Sequence, residues 1–170
     1  MEITILIFLF GGLFLGWSLG ANDAANVFGT AVGTRMVSFT SAAIICSVFV
    51  ILGAIISGAG TTETLGKLGA INALPGAFAA CVAAGISVYL MTKVGLPVST
   101  TQAIVGAIVG WNLYTGSSTN LQVLITILGT WILCPIIAGV IAMGLFTFTK
   151  RVILNRKLHI LRLDAYTRTA

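Results

Sequence analysis

Charge is what this sequence has least of. Its 170 residues include nine lysines and arginines, four aspartates and glutamates and one histidine, and charged side chains make up 8% of the chain. Soluble domains carry about 25%, which excludes a water-surrounded fold. Cysteine is scarce too. Cys46, Cys81 and Cys134 fall in separate apolar runs, giving neither a disulfide framework nor a metal-ligand spacing. Buried free thiols are expected. The opening residues MEITILIFLF lack the basic start and small-residue cleavage site of a signal peptide, and read as a retained membrane segment.

What abounds is apolar surface: 58% of residues are hydrophobic and mean hydropathy is +1.08. A helix needs roughly 20 residues to cross about 30 Å of hydrocarbon. That ruler gives an all-α integral membrane protein of about five transmembrane or re-entrant helices, near residues 3–20, 37–56, 73–92, 96–114 and 121–148. Residues 1–149 form one transmembrane bundle, and 150–170 a basic cytoplasmic tail or a linker to further chain. Between the second and third spans, SGAGTTETLGK reads as a loop, with Glu63 and Lys67 spaced for an i,i+4 pair.

The charges that do occur are unevenly placed. Six of the nine bases lie in residues 150–170 against the single acid Asp164, so the net charge of +5 belongs to that tail. Beside apolar runs it reads as a cytoplasmic flank and not as a nucleic-acid patch; its apolar and basic residues are spaced like a surface-lying helix, with His159 solvated. If the spans alternate with the N-terminus outside, Arg35, Lys93 and the tail face the cytoplasm and only Lys67 faces out. Arg35 and Lys93 are then topology anchors of a multi-pass plasma-membrane protein. The orientation depends on the fourth element crossing fully. Gly12, Gly16 and Gly20, and again Gly106 and Gly110, repeat at four-residue spacing, which suits close helix packing in lipid, inside one bundle or in a homodimer.

Two polar stretches interrupt the apolar pattern. Residues 3–34 contain no base and are half again longer than one span requires. The run must tilt, break or turn, and Gly20-Ala21-Asn22-Asp23-Ala24-Ala25-Asn26 is its weakest point for a break, because glycine and the short polar side chains compete with the helix. An intramembrane carboxylate is costly unless paired, and therefore functional by default; the alternative is a helix cap at the watery end. Asp23 with the amide oxygens of Asn22 and Asn26 suits a hard monovalent metal cation. In the second stretch, Leu96-Pro97-Val98-Ser99-Thr100-Thr101-Gln102, Pro97 suits the first turn of a helix. The free N–H groups, three hydroxyls and an amide that follow suit an anion; a plain Ser/Thr cap explains them equally. If the stretches are close, a cation between them turns repulsion between Asp23 and the anion into mutual reinforcement, the arrangement of a coupled secondary transporter.

These motifs, with Phe28-Gly29-Thr30-Ala31-Val32-Gly33 and Ile104-Val105-Gly106, closely resemble the inorganic phosphate transporter family over most of the chain up to about Phe148. The resemblance implies a sodium- or proton-coupled phosphate symporter of two inverted repeats, each with one copy of both motifs. It implies Asp23, Asn22, Asn26 and Thr100 as sodium ligands, and Ser99, Thr100, Thr101, Gln102 and Asn22 as the phosphate set. No cofactor is expected beyond sodium as coupling ion and phosphate as substrate; membrane lipid and a C-terminal half, in the same or another chain, are the expected partners. One copy of each motif makes this the N-terminal repeat. Many relatives have histidine where Gln102 stands, which favours sodium over protons. Animal relatives carry glutamates at positions matching Val50 and Ala77, which leaves the number of cations open. An enzyme is not expected, since no second intramembrane acid or hydroxyl-base pair accompanies Asp23.

Overall fold

The computed structural model describes residues 2–69 and 74–151; His159 and nearly all of the basic tail lie outside them. Five helices follow one another: α1 (Glu2–Gly33), α2 (Phe39–Leu68), α3 (Leu74–Lys93), α4 (Thr100–Thr115) and α5 (Leu121–Thr149). Contacts group the chain into two units, residues 1–124 and 125–170. Among the described residues four helices are long and apolar enough to cross a membrane: Thr4–Gly33, Phe39–Leu68, Leu74–Lys93 and Leu121–Thr149. At 16 residues, or about 24 Å, α4 falls short. α5 carries Pro135 in its interior and has no buried residue; it is apolar on every side, as a lipid-facing span is.

In the first unit α3 packs chiefly on α1 and α4. The contacts between α1 and α3 rise together along both helices. The rings of Phe8 and Phe78 stand 5.6 Å apart, as do those of Trp17 and Tyr89, and Thr92 reaches Asn22. The two helices are therefore parallel. α4 turns back along α3, starting beside Asp23 and reaching Gly76, near the start of α3, with Trp111. At that end the backbone N–H of Asn120 donates to Leu68 O at 3.0 Å, tying the end of α2 to the segment between α4 and α5. Thus α3 and α4 form a helical hairpin, with both outer ends beside the end of α2 and the tip, residues 94–99, against α1.

Several expectations are corrected. The helix does not break at residues 20–26: α1 is continuous from Glu2 to Gly33, because the polar side chains there find partners on the hairpin tip instead of competing for their own backbone. The break lies between α3 and α4. The segment 57–67 is helical, since nothing in it stops α2, and Lys67 and Glu63 pair at 2.6 Å on an exposed helix face. α4 begins at Thr100, after Pro97, because Ser99 serves as its N-cap, its hydroxyl accepting from the Gln102 N–H at 3.4 Å.

Among the described residues of this chain, the glycine rows make no close helix contact. A Cβ on Gly12, Gly16, Gly20, Gly106 or Gly110 would meet nothing within 4 Å. The buried stripe of α1 runs instead through Gly11, Ser18 and Asn22, one residue out of phase, about 100° around the helix. The close approach of α1 and α3 occurs at Gly85, where a Cβ would lie 2.7 Å from Phe14 Cδ1. Finally, α1 ends on a left-handed residue, the usual place of glycine: Arg35 has φ 60°, and the Met36 N–H closes back on Ala31 O at 2.9 Å.

Candidate ion and anion site at the hairpin tip

Asp23 stands ten residues before the end of α1, about 15 Å along its axis. Val27, Met36 and Phe39 are strongly exposed beyond the level of the hairpin tip. α3, at 20 residues, is itself long and apolar enough to cross a membrane, and the tip follows its end. Irregular backbone in hydrocarbon must be covered by protein or line a water-filled cavity.

Here α1 provides the cover. Asn22, only 4% exposed, donates from Nδ2 to Val98 O at 2.6 Å and to Asp23 Oδ1 at 2.8 Å. Asp23 Oδ2 accepts from the Thr100 hydroxyl at 2.9 Å, and Thr100 is 7% exposed. The Thr92 hydroxyl donates to Val88 O at 2.8 Å and lies 3.4 Å from Asn22 Oδ1. The tip's own donors are largely absorbed by α3: the Val94, Gly95 and Leu96 N–H groups bond to carbonyls of residues 90–92, and Pro97 has no N–H. Both carboxylate oxygens thus hold neutral donors, and the first turn of α4 starts beside them. A carboxylate at membrane depth with hydroxyl and amide oxygens around it can hold a cation; a helix N-terminus with exposed hydroxyls can hold an anion.

Of the residues singled out in the sequence, Asn22, Asp23 and Thr100 come into direct contact. Ser99, Thr101 and Gln102 lie in the cap and first turn of α4 and are exposed, and Asn26 is exposed one turn beyond Asn22. Among the described residues no group of three or more His, Cys, Asp or Glu side chains is gathered for a metal ion. Sequence reasoning missed Thr92 and the Val98 carbonyl; no local pattern marks a threonine at the end of an apolar helix or a backbone oxygen. Lys93 shares a cavity with Trp17 and Ala21, and Ala21 is twelve residues short of the end of α1, about 18 Å along the axis.

The sequence profile described as the phosphate transporter family matches residues 19–167. A protein of Pyrococcus furiosus named as a phosphate permease is 37% identical over 91% of this chain and 39% of its own length. A sodium-dependent phosphate transporter of Plasmodium falciparum is 32% identical over 85% of this chain and 23% of its own length. A solved structure titled the sodium-dependent phosphate transporter superposes with a TM-score of 0.80 at 30% identity, over 92% of this chain and 41% of that one. The chain spans about two fifths of the length of the first curated relatives it matches. With the profile covering nearly all of its length, the chain belongs to the phosphate transporter family, a family of transporters and not of enzymes.

Proposed function

We propose that this chain, together with a C-terminal half, carries inorganic phosphate across the plasma membrane by sodium-coupled symport. One observation carries the reading: the Asp23 carboxylate is hydrogen-bonded to Thr100 at the very start of α4. Sodium is held by Asp23 with oxygens of Asn22, Thr100 and, one turn on, Asn26. Phosphate is held by the first-turn N–H groups of α4 with Ser99, Thr100, Thr101 and Gln102 and the Asn22 amide. An ionised Asp23 repels a phosphate at that helix start, and sodium between them reverses the sign, so each ligand tightens the other by the same factor. The N-terminus is outside and the tail cytoplasmic. Because α3 and α4 enter and leave on one side, α1, α2 and α5 decide the orientation, an odd number of crossings, and the tail bases with Arg35 outnumber Lys67 on the cytoplasmic side.

The test is uptake of radiolabelled phosphate into liposomes holding the chain with and without a C-terminal half, under imposed sodium or proton gradients. Sodium-driven uptake only in the two-half preparation is expected. Uptake driven by the proton gradient alone would replace sodium by protons, and uptake indifferent to both gradients would remove coupling altogether.

A further inference from the structure

Near its end α5 carries an open groove of about 520 Å³, lined among the described residues by Val140, Met143, Gly144, Thr147, Phe148 and Arg151. These positions fall at i, i+3, i+4, i+7, i+8 and i+11, a single stripe of the helix. Gly144 makes the notch: a Cβ there would meet nothing within 4 Å, while Val140, Met143 and Phe148 project beside it and are strongly exposed. The Thr147 hydroxyl donates back to Met143 O at 2.8 Å, so the stripe is apolar as far as its last residue. That residue is a cation. No aspartate or glutamate stands between Glu63 and Asp164, so α5 offers Arg151 no acid, and among the described residues the one ion pair is Lys67 with Glu63. From Val140 to Arg151 the stripe is about 16 Å long, close to half of a 30 Å hydrocarbon core and so to one leaflet.

We propose that this groove holds one anionic phospholipid, an acyl chain lying in the notch at Gly144 between Val140, Met143 and Phe148, and the headgroup phosphate paired with the Arg151 guanidinium. The groove divides as the lipid does: apolar over the length of one leaflet, then a guanidinium that takes a phosphate through two parallel N–H bonds. A packed helix matches the stripe less well. Helix contacts in lipid use small residues at four-residue spacing, whereas the positions four residues to either side of Gly144 are Val140 and Phe148, and such a helix would have to bring an acid to Arg151. The four further bases in the tail, Arg156, Lys157, Arg162 and Arg168, attract an anionic surface in general; Gly144 and Arg151 single out one lipid. The lipid site is independent of phosphate transport.

The full chain is purified in detergent, stripped of lipid and titrated with palmitoyl-oleoyl phosphatidylglycerol or the matching phosphatidylcholine, and the first bound lipid is followed by native mass spectrometry. Phosphatidylglycerol is expected to bind about tenfold more tightly. Arg151→Gln should bring it to about the level of phosphatidylcholine, and Arg151→Lys should keep it within about threefold. Lys150→Gln, one position off the stripe, should change it less than about twofold. Gly144→Leu fills the notch and should weaken both lipids about fivefold, while Gly139→Leu, about 140° around α5, should leave both unchanged. Equal affinity for the two lipids overturns the site, as does indifference to Gly144→Leu. Equal losses in Lys150→Gln and Arg151→Gln reduce the effect to general attraction by the basic tail and also overturn it. The titration is repeated with a C-terminal half present: retention of the bound phosphatidylglycerol upholds the site, and its loss there, or in a dimer of the chain, puts a helix in the groove instead.

Discussion

Residues 20–26 and residues 94–99 face each other across the bundle, yet the first stays helical throughout and the second lies outside both flanking helices. In α1 every backbone group keeps its helical partner, and the side chains of Asn22 and Asp23 reach sideways. At the hairpin tip the backbone itself is exposed, and Val98 O is satisfied by the Asn22 amide of α1. One stretch supplies donors and the carboxylate; the other supplies a carbonyl and a helix start. Two broken stretches facing each other would leave both sets of backbone groups without partners in hydrocarbon. An intact helix opposite a broken one resolves that shortage.

Substitutions can break this comparison. The largest effect is expected from Asp23→Asn, which keeps the shape and removes the charge: sodium-driven phosphate uptake in the two-half preparation should fall about a hundredfold, toward the upper end of ordinary coupling factors. Unchanged uptake would free Asp23 of its role. Next comes Asn22→Ala, which strips Val98 O and Asp23 Oδ1 of their common donor. A loss of about 1–3 kcal/mol should appear in thermal unfolding in detergent, and wild-type stability would mean that water replaces the amide at no cost.

Two glycines sharpen the contrast between the stretches. Gly95 has φ 77°, so Gly95→Ala should cost about 1–2 kcal/mol. Gly20, in α1 with nothing within 4 Å of a Cβ, should gain up to about 1 kcal/mol as alanine. Destabilisation by Gly20→Ala would indicate a helix that breaks where α1 is continuous. The smallest effect belongs to Ser99→Ala, which removes only a cap, about 1 kcal/mol or less given the long 3.4 Å bond, with Ser99→Asn largely restoring it.

Much of this fold was legible in the sequence because it depends on composition over windows of twenty residues. α3 and α5 fall within about a residue of the expected spans, and both polar motifs were singled out before their contact was known. Other features are not written locally. The cap at Ser99 and the left-handed Gly95 are local signals, but they compete with the stronger cue of Pro97, which pointed to an earlier helix start.

By itself, then, the sequence determined that the chain carries helices apolar enough for lipid and which seven-residue stretches carry the polar chemistry; both follow from hydrophobicity and polarity along the chain. The tertiary structure decided which stretch breaks and which stays whole. It also decided that Thr92 and Val98 join Asn22. Those outcomes rest on hydrogen bonds between residues some seventy positions apart. A helix end or a polar side chain at membrane depth takes whatever partner the neighbouring helix presents, and that neighbour is known only once the chain has packed.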